Sequence, residues 1–254
     1  MFAWWKNRRR KKILRDHPIA EGEWADTLAQ LPLIRTLDAA RQAELRALAT
    51  WFMHDKDFYG GGDMDVVRPV QLVIAAQSCL PVLHMGYDWL EGWYSVYVYP
   101  GAFRTRQSWR NRDGLVEEDK RVLAGAAHQR GGMVLSWNNV TEDVADADDG
   151  NNVVIHEIAH KIDMRNGPAD GYPPLHRGMS ARRWADVMQR AFDELNEQTR
   201  RGRPRIDPYA ATEPAEFFAV TSEYYFEAPE TLKRVFPDVH QQLGLFYQGG
   251  PKAA

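Results

Sequence analysis

Residues 151–167, NNVVIHEIAHKIDMRNG, constrain the fold of this chain more than any other stretch. Asn152 or the asparagine before it can cap a helix, and Gly167 can end it in the left-handed conformation. Valine, isoleucine and alanine fill six of the eleven positions from 153 to 163, which is typical of a helix buried in a core. His156 and His160 are four residues apart, so they lie on one face of this predicted helix, one turn apart.

Two imidazoles at this spacing can bind one tetrahedral zinc ion, whose bonds to histidine nitrogens are about 2.0–2.1 Å long. Glu157 follows the first histidine but is offset around the helix, so we interpret it as the base that takes a proton from a zinc-activated water. The alternative is a helix that carries two surface histidines by chance. The apolar surroundings argue against it, because buried imidazoles need partners and a metal supplies one. The sequence therefore predicts a zinc site with His156 and His160 as ligands.

Asp163 lies on the same face of the predicted helix, three residues after the second histidine. A third ligand from this helix would have to reach back along its axis, which is poor tetrahedral geometry. Two roles stay open for Asp163. It is either a carboxylate that holds a ligand imidazole in one tautomer, or a helix-end charge or local salt bridge.

The third ligand is expected from another part of the chain. In the metzincin pattern a glycine and then a histidine follow the motif, but Asp163 and Asn166 hold those positions. Residues 207–226, DPYAATEPAEFFAVTSEYYF, predict a second helix, with Thr212 as its cap and Pro214 in its first turn.

Spacing alone leaves Glu213, Glu216 and Glu223 of this second helix as rival ligands. Glu216 shares a face with Glu223, and aromatic residues surround that face. A carboxylate surrounded by aromatic side chains is more readily paired with a cation than solvated by water. We therefore favour Glu216 as the third ligand.

The motifs HEIAHKIDMRNG and IDPYAATEPAEFFAVTSEYYFEAPE resemble the Mlc titration factor A family of bacterial metallopeptidases. CLPVLHMGYDWLEGW, VYVYPGAF and VLSWNNV extend the resemblance over residues 22–248. That family is similar to the catalytic domain of anthrax lethal factor, so the resemblance implies a zincin-like fold. It also implies that Glu216 is the third zinc ligand of a single zinc ion, and that Tyr209 points its hydroxyl toward the tetrahedral intermediate.

The family is described as having aminopeptidase-like activity and as binding the sugar-responsive repressor Mlc. We therefore expect a zinc-dependent peptidase that acts on small peptides. The alternative is a cytosolic regulator that sequesters a transcriptional repressor of the Mlc type, with peptidase activity secondary. A third interpretation, a structural zinc site, conflicts with Glu157, since structural sites are usually closed by a fourth protein ligand.

The remaining patterns predict a mostly helical α+β protein with a small sheet. Apolar periodicity predicts two helices within residues 22–55, with Thr36 or Asp38 capping the second, and a third helix at 70–83. β-branched and aromatic residues predict strands at 93–99 and 133–137, and the acidic stretch 142–150 predicts a loop.

We expect a single catalytic unit at 21–254, made of a helical N-terminal part at about 21–85 and a zinc peptidase core at about 86–248. The substrate is expected to lie extended along an edge strand. Residues 133–137, just upstream of the metal helix, are the candidate.

Residues 1–15 carry seven basic side chains and no acid, although the net charge of the whole chain is −3. We expect residues 1–20 to be a disordered, solvated tail. The alternatives are docking on an anionic membrane, with Phe2, Trp4 and Trp5 as interfacial anchors, and contact with nucleic acid. The net charge of the chain gives no reason to expect nucleic acid as a partner.

Cys79 is the single cysteine, so no internal disulfide can form, and its apolar flanks predict a buried, inert thiol. No window approaches the ~18 uninterrupted apolar residues of a membrane span. The basic start also lacks the apolar segment of a secretory signal. We therefore expect a cytoplasmic location.

Overall fold

A computed structural model describes residues 2–101, 103–110, 116–123, 125–127 and 131–250, with side chains at 4–101 and 131–250. The protein is mostly helical and carries a small sheet, which confirms the α+β prediction. The helices are α1 (Phe2–Asp16), α2 (Glu21–Gln30), α3 (Pro32–Arg35), α4 (Ala39–Asp55), α5 (Arg68–Cys79), α6 (Trp137–Ala145), α7 (Val153–Asp163), α8 (Ala181–Arg200), α9 (Pro214–Glu227), α10 (Pro229–Val235) and α11 (Pro237–Tyr247). In the described part of the chain, no helix is both long and apolar enough to cross a bilayer.

The sheet has the strand order β1-β2-β6-β5. Its strands are β1 (Asp57–Gly60), β2 (Ser95–Tyr99), β5 (Gly125–Ala127) and β6 (Met133–Ser136), while β3 (Phe103–Arg110) and β4 (Val116–Leu123) form a separate antiparallel hairpin. β1, β2 and β6 are parallel, and β5 is antiparallel to β6. Both predicted strands are thus present.

The prediction that residues 133–137 form an edge strand is wrong. β6 pairs with β2 on one side and with β5 on the other, so its backbone groups are used within the sheet. The chain continues at Trp137 directly into α6. A substrate therefore cannot add to β6 as a new strand.

The core of the helical part forms around α5, which contacts both α4 and α7. Every residue of α5 from Leu72 to Cys79 is buried, as its apolar pattern predicts. Cys79 is fully buried, and burial raises the pKa of its thiol above the ordinary value. Asp38 caps α4 by accepting a hydrogen bond from the backbone N–H of Arg41 at 2.9 Å.

The basic segment predicted to be a disordered tail is instead helix α1. Ile13 is 6% exposed, and the indole N–H of Trp51 in α4 donates to the carbonyl of Arg10 at 3.2 Å. Lys6 and Arg10 also form ion pairs with Glu91, at 2.8 Å and 3.0 Å. The sequence prediction failed because these partners lie about 40 to 85 positions further along the chain.

Several predicted element ends also differ from the structure. α7 ends at Asp163, before Gly167, and α6 takes in the first part of the acidic stretch that was predicted to be a loop. The N-cap of α9 is Glu213, while the hydroxyl of Thr212 donates to the carbonyl of Tyr209.

Candidate metal centre and catalytic cleft

The start of α7 is fixed by Asn152, which is 2% exposed. Its side-chain oxygen caps the helix by accepting from the N–H of Ile155 at 3.0 Å. Its amide group donates to Gln77 of α5 at 2.8 Å and to Glu227 of α9 at 2.7 Å. One buried side chain thus joins three helices at the point where the histidine motif begins.

One face of α9 lies against α7 and carries three glutamates. Glu216 contacts both histidines, Glu223 contacts His156, and Glu227 contacts Asn152. The spacing of these glutamates, seven and then four residues, places them on one side of the helix, as the sequence predicts.

His156, His160 and Glu216 bring three ligand atoms to one point. The Nε2 atoms of His156 and His160 are 3.2 Å apart. Oε2 of Glu216 lies 3.0 Å from Nε2 of His156 and 3.2 Å from Nε2 of His160. Among the residues whose side chains are described, this is the one group of three or more histidine, cysteine or acidic side chains suited to hold a metal ion.

The spacing of these atoms fits zinc. Tetrahedral bonds of 2.0–2.1 Å require neighbouring donors about 3.3 Å apart, close to the three observed distances. Nδ1 of His156 lies 2.8 Å from Oε1 of Glu223 and donates to it, which leaves the lone pair of Nε2 facing His160 and Glu216. Three electron pairs that converge in this way repel one another unless a cation, either a proton or a metal ion, lies between them.

The electrostatics of the group also favour a cation. Burial opposes a positive charge on His156, but the carboxylates of Glu223 and Glu216 outweigh it and raise the pKa of the imidazole well above its ordinary value. Burial likewise opposes ionisation of Glu216, yet hydrogen bonds from His156 and His160 hold its pKa well below the ordinary value. The arrangement thus stabilises positive charge where the ligand atoms meet.

Glu157 lies next to this group and lines the same cavity. Its side chain is almost fully buried, and burial raises the pKa of its carboxyl to about 7. No described group donates a hydrogen bond to its Oε2. A carboxyl group with a pKa near neutral can both take and release a proton at physiological pH.

The cavity beside the motif has a volume of about 740 Å³. Tyr209 lines it, with its ring centroid 6.1 Å from that of His156. Tyr209 lies in a short 3₁₀ helix (Pro208–Ala211), and its N–H donates to the carboxylate of Asp207 at 2.8 Å. Further acids line the same cavity, namely Glu142, Asp143, Asp146 and Asp149.

Asp163 is the last residue of α7 and forms no hydrogen bond with either histidine, so it does not hold a ligand imidazole. Its Oδ2 accepts from the backbone N–H groups of Asp170 at 2.9 Å and Gly171 at 2.8 Å. Its Oδ1 has no hydrogen-bond partner among the described residues, and it forms no ion pair with them. Asp163 therefore fixes the loop after α7. Gly171 in that loop packs against Pro214, the first residue of the helix that carries Glu216.

Glu223 supports a histidine, although the sequence placed it only among the rival ligands. Its Oε2 accepts from the N–H of Asn152 at 2.6 Å, while Oε1 accepts from His156. The available signal was its position seven residues after Glu216, on the same face of α9. Spacing shows that both residues face α7, but not how far each is from the histidines.

The sequence model of the glucose-regulated metallo-peptidase M90 family matches residues 4–248. The chain belongs to this family. The matched region contains all of the motif residues described above, and a metal is expected in an M90 metallopeptidase.

Several curated relatives named Mlc titration factor A are similar to this M90 protein. The protein of Salmonella gallinarum (strain 287/91 / NCTC 13346) is 39% identical over 236 residues, which cover 90% of this chain and 86% of the relative. The protein of Salmonella arizonae is 38% identical over 240 residues, covering 91% and 92%. The protein of Escherichia fergusonii is 37% identical over 233 residues, covering 90% and 86%.

Proposed function

We propose that this M90 protein is a zinc-dependent peptidase with a zincin-like fold, in which His156, His160 and Glu216 hold one zinc ion. The observation that carries the proposal is the triangle of ligand atoms with sides of 3.0–3.2 Å, beside the buried carboxyl of Glu157. When bound, zinc would act as a Lewis acid toward water and toward the carbonyl of the scissile peptide bond.

Glu157 and Tyr209 supply the remaining chemistry. Glu157 takes the proton of the attacking water and passes it to the leaving amine, and its pKa of about 7 suits both transfers. Tyr209 donates a hydrogen bond to the oxyanion that develops on the peptide carbonyl. A single donor of this kind typically contributes ~3 kcal/mol to transition-state stabilisation.

The test is a peptide-library cleavage profile of the wild type against Glu157→Gln. The variant keeps the size of the side chain but cannot accept the proton, so we expect cleavage to fall by at least about 100-fold. Cleavage by Glu157→Gln at the wild-type rate would contradict the proposal.

The acidic residues that line the cavity support aminopeptidase-like activity on small peptides. Asp143 and Asp149 line the same cavity as His156, and a free α-amino group of a substrate would bring a positive charge into it. Acetylation removes that charge. Hydrolysis of an N-acetylated peptide should therefore be at least about tenfold slower than that of the free peptide. Equal rates would indicate internal cleavage.

A second candidate function is suggested by the name of the relatives, Mlc titration factor A. In this proposal the chain binds a transcriptional repressor of the Mlc type in the cytoplasm, and hydrolysis is secondary. Glu157→Gln separates the two functions, because it should abolish hydrolysis and leave repressor binding intact. A pull-down with purified repressor, using wild type and variant, measures this.

A further inference from the structure

Helix α1 has two faces of different character. Its inner face packs on the body of the protein through Ile13, and it carries Lys6 and Arg10. Both of these cations form ion pairs with Asp88 and Glu91. The charges of the inner face are therefore balanced within the protein.

The outer face of α1 carries four basic side chains and two tryptophans, while Arg9 lies beside this face and pairs with Asp55 at 3.6 Å. At about 100° per residue these positions fall within an arc of roughly 120°, opposite the inner face. They are Trp4, Trp5, Arg8, Lys11, Lys12 and Arg15, and all six are exposed. Arg15 pairs with its neighbour Asp16. Arg8, Lys11 and Lys12 form no ion pair with any acid whose side chain the structure describes.

The two tryptophans are unusual because they are 58% and 61% exposed, whereas tryptophan is highly buried on average. The rings of Trp4 and Trp5 pack edge to face with centroids 5.1 Å apart, and the guanidinium of Arg8 lies 5.4 Å from the ring centroid of Trp4. Indole rings favour the boundary between water and lipid, and arginine binds phosphate through two parallel hydrogen bonds. The outer face thus fits a surface that is both apolar and anionic.

We propose that the outer face of α1 docks this protein on the surface of an anionic phospholipid membrane. Trp4 and Trp5 enter the headgroup region, while Arg8, Lys11 and Lys12 contact lipid phosphates. Because the inner face is fixed to the body of the protein, α1 lies along the membrane and does not cross it. A nucleic acid duplex offers phosphates but no apolar layer for two indoles. A single strand could stack on them and is therefore included in the test.

The experiment is co-sedimentation of the full chain with vesicles of phosphatidylcholine, with or without phosphatidylglycerol. We expect binding only to the anionic vesicles, and weaker binding as salt is added. Arg8→Glu/Lys12→Glu should reduce the partition coefficient at least about tenfold. Trp4→Ala/Trp5→Ala should also weaken binding and remove the blue shift of tryptophan emission that anionic vesicles cause.

Arg182→Glu/Arg190→Glu in α8 is the matched control, because it changes the net charge equally at side chains that are 92% and 71% exposed. It should bind vesicles far better than Arg8→Glu/Lys12→Glu. Circular dichroism verifies the fold of each variant, and Lys11→Glu/Lys12→Glu replaces the first pair if that pair unfolds. The proposal is overturned by equal binding to neutral and anionic vesicles, by an equal loss in the α8 control, or by α1-dependent binding of single-stranded DNA without vesicle binding.

Discussion

Nδ1 of His156 donates to Oε1 of Glu223 at 2.8 Å, so a carboxylate on α9 sets the tautomer of a histidine on α7. The same carboxylate accepts from the N–H of Asn152, the residue that caps α7. The orientation of the histidine and the start of its helix thus depend on one side chain.

Glu223→Gln should weaken zinc binding by about 10- to 100-fold. The amide can present its oxygen to only one of its two donors, and it lacks the negative charge that raises the basicity of the imidazole. Competition with a zinc chelator measures the affinity. Glu213→Gln, at the exposed N-cap of the same helix, is the control and should bind zinc like the wild type. Equal affinities of the two variants would show that Glu223 does not support the site.

Asn152→Ala should lower the free energy of unfolding by about 3 kcal/mol, because it removes a helix cap and leaves Gln77 and Glu227 without a buried donor. Urea denaturation measures this change. Ser180→Ala removes the cap of α8 at an exposed site, where the hydroxyl accepts from the N–H of Arg183 at 3.2 Å, and should cost only about 1 kcal/mol. A similar loss in both variants would mean that the bonds from Asn152 to α5 and α9 add nothing to stability.

Gly171→Ala should destabilise the protein and weaken zinc binding together. Gly171 has a φ of +78°, and a Cβ there would lie 2.5 Å from the carbonyl oxygen of Pro214, at the start of the helix that carries Glu216. Gly202 has a φ of +68° with open space around it, so Gly202→Ala measures the backbone strain alone, about 1 kcal/mol. Thermal unfolding and chelator competition compare the two variants, and an unchanged zinc affinity in Gly171→Ala would separate this contact from the metal site.

The stability of the protein should depend on pH through Glu227. Burial raises the pKa of this carboxyl to about 8, far above its value in the unfolded chain. Between those two pKa values the folded state binds more protons than the unfolded state, so this contribution to stability grows as the pH falls from 8 toward 5. Glu227→Gln cannot titrate and should stabilise the protein more at pH 8 than at pH 5.

The gain in the free energy of unfolding that Glu227→Gln causes should be larger at pH 8 than at pH 5 by on the order of 2 kcal/mol, measured by urea denaturation. Glu230→Gln, at a side chain that is 86% exposed, should leave the pH profile unchanged. A profile of Glu227→Gln parallel to that of the wild type would contradict this origin of the pH dependence.

The helices, and the side chains that meet in the candidate metal centre, were largely predictable from the sequence. The apolar run around His156 and His160 specifies a buried helix, and the shared face of Glu216 and Glu223 shows which side of α9 meets it. Local patterns contain this information because helical period fixes which residues share a face.

The failed predictions depend on contacts between distant segments. Nothing near α1 shows that Asp88 and Glu91 hold it, and Gly125–Ala127 has no side-chain pattern that predicts the strand covering β6. The role of Asp163 depends on the path of the following loop, which brings the N–H of Gly171 back to the end of α7.

The zinc content of purified protein tests the central claim most directly. Wild type and Glu213→Gln should each retain stoichiometric zinc after dialysis, as measured by elemental analysis. Glu216→Ala should lose it, because only the two imidazoles remain to bind the ion. A wild type without stoichiometric zinc, or a Glu216→Ala variant that keeps zinc at wild-type affinity, would contradict the account.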